Sequence, residues 1–256
     1  MSLNPPLANW QGKTIWLLGA STGIGRATAV ALHGCGAHVV VSARTQSHLY
    51  ALAAQCPGIL ALPLDCCDAQ AVKTTASALL EKGPIDAVMY CAGYYKALRA
   101  TDYNAAEMLK HQQVNYLGAL YMLEAVLPHF LSRRSGHISL VSSVAGYGGL
   151  PKSLAYGPTK AALINLAETL YLDLQPQGIG VSLVCPGFVQ TPLTAQNDFH
   201  MPGLLTPEQA AEAILKGWAK GRFEIHFPTH FTRWMKLMRL LPYRLYFALI
   251  RRTTGL

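Results

Sequence analysis

Gly19-Ala20-Ser21-Thr22-Gly23-Ile24-Gly25 follows an apolar run, Thr14-Ile15-Trp16-Leu17-Leu18, and precedes a helix-compatible stretch from Arg26 to His33. Strand, glycine turn and helix, in that order, are the context a dinucleotide site needs. Glycine admits unusual backbone angles and lets the main chain approach a pyrophosphate with no Cβ between them. The start of the following helix offers free N–H groups and the positive end of its dipole. Alone, the same pattern is also a turn that merely ends a strand, so the rest of the chain has to decide.

Outward from this turn, Ala37 to Ser42 predicts a second strand, whose three consecutive valines suit a sheet covered on both faces. Thr45 to Gln55 is helix-compatible, and Ile59 to Leu64 predicts a third strand. Asp68 is placed to cap a helix that runs to Lys82 and stops at Gly83-Pro84. A fourth strand is expected over Ile85–Cys91 and one long helix over Asn104–Leu131, with Asn115 inside it. A fifth strand follows at Gly136–Val141 and a helix at Tyr156–Leu174, where Pro158 falls in the tolerant first turn. Ile179–Val184 predicts a sixth strand, Thr206-Pro-Glu-Gln a capped helix, and Glu224–Phe227 a seventh strand. Such regular alternation implies an α/β fold: a Rossmann-type, doubly wound parallel sheet of about seven strands, with ligands at the strand C-terminal ends.

Composition agrees with a large core. Of 256 residues, 51% are hydrophobic and 13% charged, which argues against wholesale disorder. The six cysteines (35, 56, 66, 67, 91, 185) form no Cys-x-x-Cys pair, so no metal site is expected. Met1 to Gln11 lacks a basic n-region and an apolar core, so no signal peptide is read. No apolar run reaches the ~18 residues of a spanning helix. A cytoplasmic protein is the expectation. Net charge is +8, but residues 226–256 hold six basic residues and no acid. Without those six, 15 basic residues stand against 13 acidic, a nearly neutral body that argues against nucleic acid as a partner.

Tyr156-Gly-Pro-Thr-Lys160 sharpens the reading. Together with Gly19-x-x-x-Gly23-x-Gly25, Cys91-Ala92-Gly93, Asn115, Ser143 and Pro186-Gly187, it resembles the short-chain dehydrogenase/reductase family over about residues 12–227. The expected division is a catalytic body, 1–227, and a helical C-terminal extension, 228–256. Tyr156 and Lys160 are four apart and share a helix face. An ammonium there should lower the phenol pKa from its reference near ~10. A tyrosine so tuned can give a proton to a carbonyl oxygen or take one from an alcohol. Ser143, at the end of the fifth strand, can hydrogen-bond the same oxygen; its neighbour Ser142 is a rival that only family spacing sets aside. The resemblance implies that Asn115 supports a proton relay. It implies dinucleotide contacts from Gly19, Ser21, Thr22, Gly23, Ile24 and Gly25 and from Asp65 and Cys66 at the adenine. It adds Ala92 and Gly93 at the ribose, and Pro186, Gly187, Thr191, Tyr156 and Lys160 at the nicotinamide end.

Cofactor choice rests on an absence. NAD sites carry an Asp or Glu about ~20 residues past the glycines. Here Arg26 to Leu64 contains no acid, and the second strand ends Ser42-Ala43-Arg44. Arg44 suits a 2′-phosphate, so NADP(H) is expected, with a small carbonyl or alcohol as substrate. Leu193, Phe199, Met201, Leu204 and Leu205 suggest an apolar lid over a lipid-like or steroid-like substrate; a loop packed on its own core is the alternative. A homo-oligomer is expected from the resemblance. In the extension, Trp234, Leu237, Met238 and Leu241 recur at helical spacing, with Arg233, Lys236 and Arg239 opposite. Basic residues beside aromatics over 230–252 are the ingredients of an interfacial membrane helix; a helix pair packed on the domain or on a second subunit is the alternative. Rival functions are a dinucleotide-binding protein without turnover and a peripheral membrane protein.

Overall fold

The computed structural model describes residues 2–199 and 201–254. His200 in the lid and the last two residues of the extension lie outside the described residues.

Seven strands form one parallel sheet: β1 (Thr14–Leu18), β2 (His38–Ser42), β3 (Leu60–Ala61), β4 (Ala87–Tyr90), β5 (Gly136–Val141), β6 (Ile179–Pro186) and β7 (Glu224–Phe227). Their order is β3-β2-β1-β4-β5-β6-β7. The order reverses between β1 and β4, and a crevice opens beyond the C-terminal ends there. On one face, Ile15, Leu17, Val39 and Val41 meet α1 (Gly23–Gly34), α2 (Gln46–Gln55) and α7 (Pro207–Ala219). On the other, Trp16, Leu18, Val40 and Val88 meet α3 (Ala69–Lys82). Each buried strand is apolar on both sides because each face is covered.

The expected boundaries of β5, β7 and α6 (Tyr156–Leu174) agree with the structure residue for residue. Asp68 caps α3 by accepting from the Ala71 N–H at 2.9 Å, and Thr206 with Gln209 closes a full capping box on α7. The third strand is shorter than expected: only Leu60 and Ala61 pair with β2.

The helical stretch expected over Asn104–Leu131 is present and carries a π turn: α4 (Ala105–Gln112), the π turn (Gln113–Leu117) and α5 (Gly118–Arg133) follow one another without a break. The π turn has an identifiable cause. Buried Tyr90 donates its hydroxyl to the Val114 carbonyl at 2.6 Å, drawing on a helix acceptor. A Cβ on Gly118 would lie 2.1 Å from that hydroxyl, so only glycine admits it. Single π turns recur at functional sites, and this one turns Asn115 inward.

Beyond β7 the chain forms α8 (Thr229–Arg239) and α9 (Tyr243–Thr254). The apolar stripe expected on α8 divides: Met238 is buried beside Thr232 and Met235, while Trp234 and Leu237 are half exposed. From α9, Tyr246 and Ile250 join the same core.

Candidate active site

A cavity of about 800 Å³ runs along the C-terminal ends of β2, β1, β4 and β5. Those four strands span three inter-strand spacings, about 14 Å. Gly19, Ser21, Thr22, Gly23 and Ile24 line it, as do Arg44, Cys66, Ala92, Gly93, Ser143, Tyr156, Lys160, Pro186, Gly187 and Thr191. Gly25, Asp65 and Asn115 do not. Gly25 packs behind the turn, where a Cβ would meet the Gly19 carbonyl oxygen at 2.4 Å. Asp65 is exposed and accepts from the Cys67 N–H. Asn115 is buried behind the wall.

The glycine turn is shaped for close approach. Gly19 has φ +88°, and a Cβ there would meet the Ala92 nitrogen at 2.3 Å. The N-cap of α1, Thr22, makes no side-chain capping bond, and the first turn holds no acid. Its N–H groups and the positive dipole end are therefore left for an anion. Arg44 lies at the mouth beyond β2, exposed, and among the described residues it makes no ion pair. These features fit a dinucleotide.

At the other end, Ser143 follows β5, and Tyr156 and Lys160 come from the first turns of α6. Lys160 Nζ donates to the Val141 carbonyl at 2.8 Å and lies 5.5 Å from the centre of the Tyr156 ring. Ser142 is engaged elsewhere: its hydroxyl donates to the Lys160 carbonyl at 2.7 Å. Ser143 stays beside Tyr156, accepting from the Ala145 N–H at 3.1 Å. Asn115 accepts from the Tyr94 N–H at 2.7 Å and donates to the Tyr94 carbonyl and to Thr159 Oγ1. It thereby ties the π turn to the chain after β4 and to α6.

The electrostatics correct one expectation. Burial pushes the Tyr156 hydroxyl above its ordinary value, the Ser143 hydroxyl beside it pulling the other way. Burial also brings Lys160 down to about 8. Both groups sit in the same low-dielectric wall, and desolvation penalises each charged form. Cys91 and Cys185 flank them, pushed by burial up to about 11 and about 12.

Several lining residues were not foreseen. Tyr95 packs edge-on to Tyr156, with ring centres 5.3 Å apart. Tyr94, whose hydroxyl donates to Glu107 at 2.8 Å, forms the wall beside it. Both follow β4 directly, so their place after Cys91-Ala92-Gly93 was the available signal. Of the expected lid, Leu193 and Phe199 line the cavity, and Phe199 packs on Phe188. Asp65, Cys66 and Cys67 bring three ligand-type atoms within 4.8 Å of one another. Burial pushes both thiols up, Cys67 to about 12, which disfavours the thiolate a metal requires.

The chain is similar to known proteins in sequence and in fold. The family model described as short chain dehydrogenase matches residues 13–201. An uncharacterised oxidoreductase of Myxococcus xanthus is 35% identical over 251 residues, 96% of this chain and 99% of that one. The 2-keto-3-deoxy-L-fuconate dehydrogenase of Xanthomonas campestris is 35% identical over 192 residues, covering 75% of this chain and 63% of that one. Two solved structures share the fold. A short-chain dehydrogenase from Streptomyces avermitilis has a TM-score of 0.81 at 24% identity, covering 96% and 98% of the two chains. One from Burkholderia phymatum, in complex with NAD, has a TM-score of 0.81 at 23% identity, covering 91% and 94%.

Proposed function

This chain belongs to the short-chain dehydrogenase family, an oxidoreductase family that uses a nicotinamide dinucleotide, and from that premise we propose that it is an NADP(H)-dependent carbonyl reductase. The observation that carries the proposal is one cavity with Arg44, which makes no ion pair among the described residues, near one end and Ser143, Tyr156 and Lys160 near the other. Residues 1–227 form the catalytic body in this reading, and 228–256 the extension.

When bound, the dinucleotide supplies the hydride for a carbonyl carbon, or accepts it from an alcohol. The rest is done by the chain. The Gly19–Gly25 turn and the start of α1 hold the diphosphate, and Arg44 holds the 2′-phosphate. Ser143 donates a hydrogen bond to the substrate oxygen. Tyr156 gives its proton to that oxygen as negative charge develops. The raised pKa keeps the phenol protonated at neutral pH, which suits carbonyl reduction. Lys160, brought down only to about 8, remains an ammonium at pH 7 and stabilises the phenolate left behind. Asn115 fixes the wall that carries Tyr94 and, through Thr159, the start of α6. Leu150, Phe188, Leu193 and Phe199 give the substrate end an apolar lining, which favours an apolar ketone.

The test is consumption of NADPH and NADH across ketones from small to long-chain, with Tyr156→Phe as control. Turnover with NADPH that Tyr156→Phe abolishes supports the assignment. Dinucleotide binding without turnover on any ketone favours a binding protein instead.

A further inference from the structure

Helices α8 and α9 bury one face and leave the other bare. Inward, Met235, Met238, Tyr246 and Ile250 join the core. Tyr147 donates to Glu224 at 2.6 Å, and Lys236 pairs with the same carboxylate, fastening α8 to β7. Outward, Trp234, Leu237 and Leu240 follow one another at three-residue spacing, Leu240 being 79% exposed. On α9, Tyr243 is 77% exposed, its ring stacked on that of Phe247 at 5.6 Å, and Leu245 is bare as well. Six cations and no acid share residues 228–256 with these side chains.

The same helices brace the substrate end of the cavity. Phe231 of α8 packs on Phe188, which packs on Phe199, each pair with ring centres 5.7 Å apart. Phe188 and Phe199 both line the cavity. Tyr246 of α9 donates to the Gly149 carbonyl at 2.8 Å, next to the lining residue Leu150. An aromatic ladder thus runs from α8 to the lip of the crevice.

We propose that α8 and α9 seat this protein on an anionic lipid surface, so that the crevice takes carbonyl substrates dissolved in the membrane. The apolar side chains enter the interface, and the arginines meet headgroups. Charge decides the occupant. A two-fold contact with a second copy would set this cationic face against its own image, and like charges repel. An anionic bilayer complements it. Among the described residues no helix is long and apolar enough to cross a membrane, so the contact is peripheral. Only the substrate clause rests on the oxidoreductase reading.

The test uses the full chain with vesicles of phosphatidylcholine alone or mixed with phosphatidylglycerol, and no carbonyl present. Trp234 is a built-in reporter, because Trp10, Trp16 and Trp218 are all buried. Expected are co-sedimentation with the anionic vesicles only, reversal by high salt, and a blue shift of tryptophan emission. The double variant Leu240→Asp/Tyr243→Asp should bind anionic vesicles at least tenfold more weakly. Its melting temperature and its oxidation of NADPH with a water-soluble ketone should stay unchanged. Wild-type protein that ignores anionic vesicles overturns the proposal. So does a double variant that keeps vesicle binding but becomes smaller in solution, which would make the face a subunit contact. Failure of the enzymatic reading shows separately, as loss of ketone turnover with vesicle binding intact.

Discussion

Arg44→Ala should separate the two nicotinamide dinucleotides. Among the described residues three cations line the cavity: Arg44, Lys96 and Lys160. Lys96 is paired with Glu107 at 3.1 Å, and Lys160 donates into the wall at Val141. Of these three, Arg44 is the cation beside β2 and without an ion pair among the described residues. A hydrogen bond to a charged group is worth about 1.5–3 kcal/mol, or roughly 10- to 150-fold in affinity. Because Arg44 is exposed, the lower half of that range applies, about 10- to 50-fold. Initial rates of NADPH and NADH oxidation should show KM for NADPH rising by that factor and KM for NADH unchanged. Higher ionic strength should narrow the wild-type preference, since an exposed cation is screened. Arg44→Asp should go further and favour NADH, because the new carboxylate repels a 2′-phosphate and can accept from a ribose hydroxyl. An unchanged ratio of the two KM values in both variants, with unchanged melting temperature, would refute the assignment of Arg44.

Tyr156→Phe should lower kcat by about 10²- to 10⁴-fold while dinucleotide binding, read by fluorescence titration, persists. Asn115→Ala should cost about 1–3 kcal/mol by leaving the Tyr94 backbone groups unpaired, seen as a lower melting temperature together with a lower kcat. Burial brings His137 down to about 3, so between that value and its ordinary pKa near ~6.5 the unfolded chain binds the extra proton. Stability from this group is present above pH ~6.5 and is lost as pH falls, by about 2 kcal/mol two units lower. His137→Leu, which leaves Ser182 its bond to the Arg222 carbonyl, should melt with a shallower acid slope than wild type; equal slopes would reject the cause. For Lys160 the folded pKa is also depressed, so the wild-type minus Lys160→Met stability difference should rise with pH between about 8 and ~10.5.

What the sequence disclosed and what it hid follow from the range of the forces involved. The alternation of strands and helices, α6 and the caps on α3 and α7 were legible because periodicity and capping act over a few residues. The order of glycine turn, Ser143, Tyr156 and Lys160 was legible because each sits at a strand end or a helix start. The π turn was not. Its cause is the Tyr90 hydroxyl, 24 residues from Val114 in the chain, admitted by Gly118. The direction of the Tyr156 shift was hidden for the same reason. Spacing showed an ammonium one helical turn away, but the burial that outweighs it comes from packing around the phenol.

The two faces of α8 carry the more general lesson. Its inner side holds a polar residue, Thr232, whose hydroxyl is satisfied by the Pro228 carbonyl at 3.0 Å and shares a 2.6 Å contact with His226. Its outer side carries Trp234 and Leu237, more strongly hydrophobic than the methionines that are buried. A helix apolar on two sides has two valid phases, and hydropathy selects the stronger one. In a helix with only water outside, the stronger phase is the buried one. Here the stronger phase points away from the core, so the aromatic and leucine side chains there are not explained by folding this chain. A second apolar medium would account for them, and the arginines around them favour the anionic lipid surface proposed above.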